Sequence, residues 1–141
     1  MFGGGLTLLL VVACSTESPQ LIERPCAPLI AYNQITPPTN QPIRIERVAN
    51  APAQKFQVPR DAVEECEEFQ LQWTLDDMDR ASESLGTGEN FELHPCDELL
   101  TAADPYTTVL HATVQGTAPD DGMTRLSWTV IVTGSIENCQ P

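Results

Sequence analysis

The segments Thr108-Val109-Leu110-His111-Ala112-Thr113-Val114 and Leu126-Ser127-Trp128-Thr129-Val130-Ile131-Val132 decide the fold class of this 141-residue chain. In each, the larger apolar side chains recur at every second position, the period of a pleated strand with one buried face. Gly116–Thr124 lies between them and carries Pro119, Asp120, Asp121 and Gly122. The pair therefore reads as an antiparallel hairpin. One register aligns Val114 with Leu126, Ala112 with Trp128, Leu110 with Val130 and Thr108 with Val132, setting a large indole beside a small alanine. Val109 and Ile131 then meet on the opposite face. That makes the hairpin a central, two-sided element or marks a partner surface.

Working backwards from the hairpin, Phe69-Gln70-Leu71-Gln72-Trp73-Thr74-Leu75 alternates in the same way, and Phe91-Glu92-Leu93-His94 more briefly. Short edge strands fit Leu29–Ile35 and Pro42–Val48, the latter alternating through Ile43, Ile45 and Arg47. Prolines at 28, 37, 38, 42, 52 and 59 exclude long helices from this region. Asp61–Glu68 has room for a helical turn or two with its glutamates in solvent. A short helix is expected from Asp76 to Gly86, capped by Asp76 or Asp77, with Met78 and Leu85 on its apolar side. A second is expected at Asp97–Ala103. Six or so strands with proline- and glycine-bearing connections predict a mainly β chain, a small antiparallel β-sandwich with one or two short helices. Cys66 and Trp73 resemble an immunoglobulin-like layout, but the later cysteines are not spaced like that fold's inter-sheet bridge. The architecture is the expectation.

At the other end, residues 6–13 read Leu-Thr-Leu-Leu-Leu-Val-Val-Ala. A membrane-spanning helix needs about 20 residues, so this run is the core of an export signal. It ends in Val11-Val12-Ala13-Cys14, and Ser15-Thr16-Glu17-Ser18-Pro19-Gln20 follows. An aliphatic residue three before a cysteine and a small one directly before it resemble the lipobox of bacterial lipoproteins. The resemblance implies cleavage before Cys14, acylation of its thiol and new amino terminus, and a lipid-anchored place in the bacterial cell envelope. Ser15 after the cysteine, in place of Asp, resembles the lipoproteins passed on to an outer membrane. The alternative is an ordinary cleavable signal with an incidental cysteine. The expected organisation is a signal at 1–13, a lipid-anchored linker at 14–25 and one domain at 26–141.

Four further cysteines, Cys26, Cys66, Cys96 and Cys139, form an even set in a short exported chain, the arithmetic of two disulfides. Three connectivities are open. Pairing Leu71 with Phe91 and Phe69 with Leu93 brings Cys66 opposite Cys96 and leaves Cys26 for Cys139, so this connectivity is favoured. No cysteine pair has the close spacing of a zinc site.

Acidic residues outnumber basic ones 20 to 7, a formal net charge of −13. Nucleic acid needs a positive patch that seven scattered cations do not build, and surface-lying amphipathic helices need positive charge too. There is no phosphate loop, H-E-x-x-H or G-x-S-x-G. With two histidines, His94 and His111, a serine-hydrolase site would have to use one of them, and both read more simply as structural or surface residues. Trp73 and Trp128 are in phase with core positions. Asp76, Asp77 and Asp79, or Asp120 and Asp121, are weak calcium candidates, none in an EF-hand pattern. The leading expectation is a noncatalytic envelope module, structural or binding another envelope or extracellular protein. An extracytoplasmic small-molecule or calcium binder, marked by a concave cluster of polar groups, comes second, and an atypical hydrolase using His94 or His111 third.

Overall fold

Strands β8 (Tyr106–Gly116) and β9 (Met123–Thr133) form the expected hairpin, each eleven residues long. A computed structural model describes residues 24–76 and 85–140. Tyr106, Thr108, Leu110, Ala112 and Val114 of β8 are buried, as are Leu126, Trp128, Val130 and Val132 of β9. The register differs from expectation. Tyr106 pairs with Val132, Thr108 with Val130, Leu110 with Trp128 and Ala112 with Leu126, a slide of two residues. A slide by an even number keeps every side chain on its face, which is why the alternation alone did not distinguish the two registers. The turn decides between them. Gly116 N–H donates to Gly122 O, and the Asp121 carboxylate accepts from Ala118 N–H at 2.9 Å, closing the loop more tightly than Gly116–Thr124 implied. Val109 consequently faces Thr129 rather than Ile131.

Strand β5 (Phe69–Leu75) pairs antiparallel with β8, setting Leu71 against Val114, Trp73 against Ala112 and Leu75 against Leu110. On the far side of β9, β2 (Ile43–Glu46) pairs in parallel, with Ile43 against Val130 and Ile45 against Val132. The two-residue β6 (Gly86–Thr87) completes a five-stranded sheet of order β2-β9-β8-β5-β6. The sheet is thus mixed, not wholly antiparallel. No short hairpin joins β2 to β9, so their relative direction is not imposed by a turn.

Two smaller antiparallel sheets bring the described residues to a β-rich fold of three sheets: β1 (Leu29–Ile30) with β4 (Val63–Glu64), and β3 (Gln54–Gln57) with β7 (Asn90–Leu93). Phe91 therefore lies opposite Phe56 of β3, not Leu71 of β5. The β3–β7 pair covers the aromatic centre of the main sheet. Phe56 meets Trp128 edge-on at 5.3 Å between ring centroids, Trp73 stacks on Trp128 at 5.6 Å, and Phe91 stacks on Trp73 at 5.4 Å. Both tryptophans are fully buried, and their indole N–H groups donate to Gly88 O and Pro37 O, so burial leaves neither polar end unpaired.

Among the described residues there is no α-helix, only 3-10 turns at Tyr32–Gln34, Arg60–Ala62 and Ile136–Cys139. The first expected edge strand shortens to β1 before one of these turns, and Asp61–Glu68 becomes a 3-10 turn, β4 and a left-handed Glu65. The helix expected at Asp97–Ala103 is a pair of turns. Within it Leu100 N–H donates to Asp97 O in a tight turn, and the buried Arg47 guanidinium donates to Thr101 O and to Ala103 O at 2.9 Å. The other expected helix falls largely on 77–84, outside the described residues. So do the signal 1–13, Cys14 and the linker as far as 23.

All four domain cysteines are bridged, but as Cys26–Cys66 and Cys96–Cys139, with Cα–Cα distances of 5.4 and 5.5 Å. This corrects the favoured connectivity. That pairing required β5 to lie beside β7, whereas the neighbours of β5 are β8 and β6.

Candidate functional site

The face of the main sheet turned away from the aromatic core is polar. Alternation that buries Leu71, Trp73 and Leu75 turns Gln70, Gln72 and Thr74 outward, and on β8 it does the same for His111, Thr113 and Gln115. Strand pairing makes these residues cross-strand neighbours: Gln70 with Gln115, Gln72 with Thr113, and Thr74 with His111, beyond which lies Ser127 of β9. Two places on this face have the makings of a site.

The first is the row through His111. Its Nδ1 lies 2.7 Å from Ser127 Oγ, and its Nε2 lies 3.2 Å from Asp76 Oδ1. The His111 side chain is 13% exposed and that of Asp76 63%. Nε2 is buried, and its approach to Asp76 is an ion-pair distance without hydrogen-bond alignment. Strand pairing thus brings a serine, a histidine and a carboxylate into line, a juxtaposition that sequence order conceals. Acyl transfer needs more than the line. Ser127 sits in mid-strand, which lacks the sharp turn that aims two backbone N–H groups at a developing oxyanion. His94 is far simpler: its Nδ1 accepts from Cys96 N–H at 3.0 Å and its carbonyl accepts from Asp97 N–H, so it shapes a turn.

The calcium candidates among the described residues, Asp76, Asp120 and Asp121, form no metal-binding group. Asp121 spends Oδ1 on Cys26 N–H and Oδ2 on Ala118 N–H, while Asp76 faces His111. Asp120 lies in the same hairpin loop, and Asp77 and Asp79 fall outside the described residues. Among the described residues no three or more His, Cys, Asp or Glu side chains gather as a metal site.

The second place is a groove along β5 where the short β6 ends. It encloses about 460 Å³ and is lined by Gln70, Leu71, Gln72, Thr113 and Gln115, together with Phe69, Arg60, Thr87, Gly88 and Glu89. That volume lies within the roughly 300–1,000 Å³ of small-ligand clefts. The Arg60 guanidinium lies over the Phe69 ring at 5.0 Å from its centroid and donates to Glu67 O at 2.7 Å. Arg60 N–H donates to Glu89 Oε1 at 3.0 Å. Sequence reasoning missed this groove. Its signal was present, three glutamines and a threonine at outward positions of two strands, but only the β5–β8 pairing makes them neighbours.

No protein-family model matches this chain, and neither a curated protein nor a solved structure matches it.

Proposed function

We propose that the protein is a noncatalytic binding module of a bacterial cell envelope, tethered by lipid on Cys14 and built as a sandwich-like, disulfide-stapled body. One observation carries this reading. Of five cysteines, the four in the domain pair with one another, which leaves Cys14 without an intramolecular partner, at the end of an apolar leader. Two disulfides in a small chain fit an oxidising compartment outside the cytosol. A single unpaired cysteine after an export signal is what acylation uses, and two or more acyl chains give stable attachment without any basic protein surface. Ser15 supports delivery to an outer membrane. The acidic body, at a net −13, then stands away from anionic lipid and meets its ligand or another envelope protein.

Mass spectrometry of the chain recovered from a bacterial envelope tests the anchor. The amino-terminal fragment is expected to begin at Cys14 and to carry acyl chains, and the Cys14→Ser chain to carry none while keeping both disulfides. A free Cys14 thiol, or a mature chain starting elsewhere, overturns the reading.

A hydrolase is the second reading, favoured by the alignment of Asp76, His111 and Ser127. It predicts that a fluorophosphonate labels Ser127 and that His111→Ala abolishes the labelling. Under the reading preferred here, wild type and His111→Ala are equally unlabelled.

A further inference from the structure

We propose that the groove along β5 binds short, uncharged carbohydrate chains. This deepens the reading of the protein as a binding module and is independent of the anchor on Cys14. The lining selects its ligand by elimination. Among the described residues of the lining, an anion would find one cation, Arg60, already donating to Glu67 O and lying on Phe69, within a protein of net charge −13. Among the same residues a cation would find one carboxylate, Glu89, already accepting from Arg60 N–H. A wholly apolar ligand would strip water from Gln70, Gln72, Gln115 and Thr113 without replacing its hydrogen bonds, at a cost of about 1–3 kcal/mol per group.

What remains is a neutral ligand dense in groups that both donate and accept. Each glutamine amide offers two N–H donors and a carbonyl acceptor, and each threonine hydroxyl does both, which is the complement of a polyol. The groups form a grid: Gln70 and Gln72 are about 7 Å apart along β5, and their β8 partners Gln115 and Thr113 about 5 Å across. That is the scale of a sugar ring and its neighbour. Phe69, half-buried against the core and covered by the Arg60 guanidinium, closes one end of the groove. A peptide added as a strand would instead be held by backbone groups at a sheet edge, an outcome that the peptide control below separates from binding by the glutamine side chains.

The test uses the full chain, isotopically labelled, with its disulfides intact and in a detergent without a sugar headgroup. Cellotriose, maltotriose and chitotriose are added separately while the side-chain amide signals of the glutamines are followed by NMR. At least one trisaccharide is expected to shift Gln70, Gln72 and Gln115 with a Kd of about 1 mM or below. The Gln72→Ala/Gln115→Ala chain, altered at two exposed positions, is expected to bind at least about tenfold more weakly, a loss of about 1.4 kcal/mol, with an unchanged melting midpoint. Ser127→Ala is expected to bind as wild type. Silence of all three sugars at about 10 mM, unweakened binding by the double variant, or the same shifts produced by a Gly-Ser peptide in place of sugar overturns the proposal. If the sugars fail while Cys14 is acylated, the groove assignment falls and the anchored module stands; the reverse result separates them the other way.

Discussion

Arg47 is fully buried, and its guanidinium donates to three carbonyls, those of Thr101, Ala103 and Gly134, with no carboxylate facing it among the hydrogen bonds it makes. It holds the 101–104 loop against the end of β9, and Asp104 completes the joint by accepting from Gly134 N–H at 3.0 Å. Arg47→Met keeps the apolar stem and removes every donor. Losing three part-buried hydrogen bonds costs about 1 kcal/mol each, so the variant is expected to lose about 3 kcal/mol in urea unfolding. Arg47→Lys, whose ammonium lacks the planar fork, is expected to recover only part of it. A loss below about 0.5 kcal/mol for Arg47→Met would mean that the loop repacks without these bonds. At this scale the sequence was readable where a residue has one dominant preference: Trp73 and Trp128 are in the core, and Arg47 is in phase with Ile43 and Ile45. It was unreadable where the partner is remote. Nothing in the order of residues sets His111 beside Ser127 and Asp76, since that contact exists only once β5, β8 and β9 lie side by side.

The β8–β9 hairpin owes its register to its loop. Asp121 accepts from Ala118 N–H within the loop and from Cys26 N–H outside it, while Gly122 N–H donates to Cys26 O, so one carboxylate closes the turn and fastens the incoming chain to it. Asp121→Ala is expected to cost about 1–2 kcal/mol through its two lost acceptors. Gly116 is constrained by the same side chain. A Cβ there would stand 2.5 Å from Asp121 Cβ and 2.7 Å from its Cγ, so Gly116→Ala is expected to destabilise by about 1–3 kcal/mol. The two sites couple. In an Asp121→Gly background the collision is gone, and Gly116→Ala is expected to cost at least about 1 kcal/mol less than in wild type, measured as a double-mutant cycle. Strict additivity would show that the collision is relieved by other means. The strands were legible because period-two alternation is a local property; their register was not, because Asp121 in a Pro-Asp-Asp-Gly loop reads as turn propensity alone. The segment expected as a helix over Asp97–Ala103 is likewise held from afar, since Arg47, roughly fifty residues earlier, donates to the carbonyls of Thr101 and Ala103.

Over the whole molecule, the disulfides report the arrangement of the sheets. Had β5 lain beside β7, Cys66 would face Cys96; with β7 on β3 instead, Cys66 reaches back to Cys26, and Cys96 reaches forward to Cys139 just beyond β9. The sheet order could not be inferred from alternation, since every amphipathic strand satisfies it equally well with several neighbours. The two bridges enclose nearly equal loops, with sequence separations of 40 and 43, so chain entropy assigns them nearly equal stabilisation, each about 4 kcal/mol before any native strain. The chains Cys26→Ala/Cys66→Ala and Cys96→Ala/Cys139→Ala are therefore expected to lose similar amounts, about 2–4 kcal/mol each. The connectivity itself has a sharper test. The basic residues fall so that trypsin places the four cysteines on separate peptides, 1–44, 61–80, 81–125 and 126–141, Arg24 being protected by Pro25. In the exported chain the first begins wherever the signal is cut. Mapped without reduction, 61–80 is expected to stay joined to the amino-terminal peptide, and 81–125 to 126–141. A product joining 61–80 to 81–125 would instead put Cys66 against Cys96. It would thereby overturn the two bridges together with the strand neighbours that place Gln70 and Gln72 beside Thr113 and Gln115, and the groove would lose its floor.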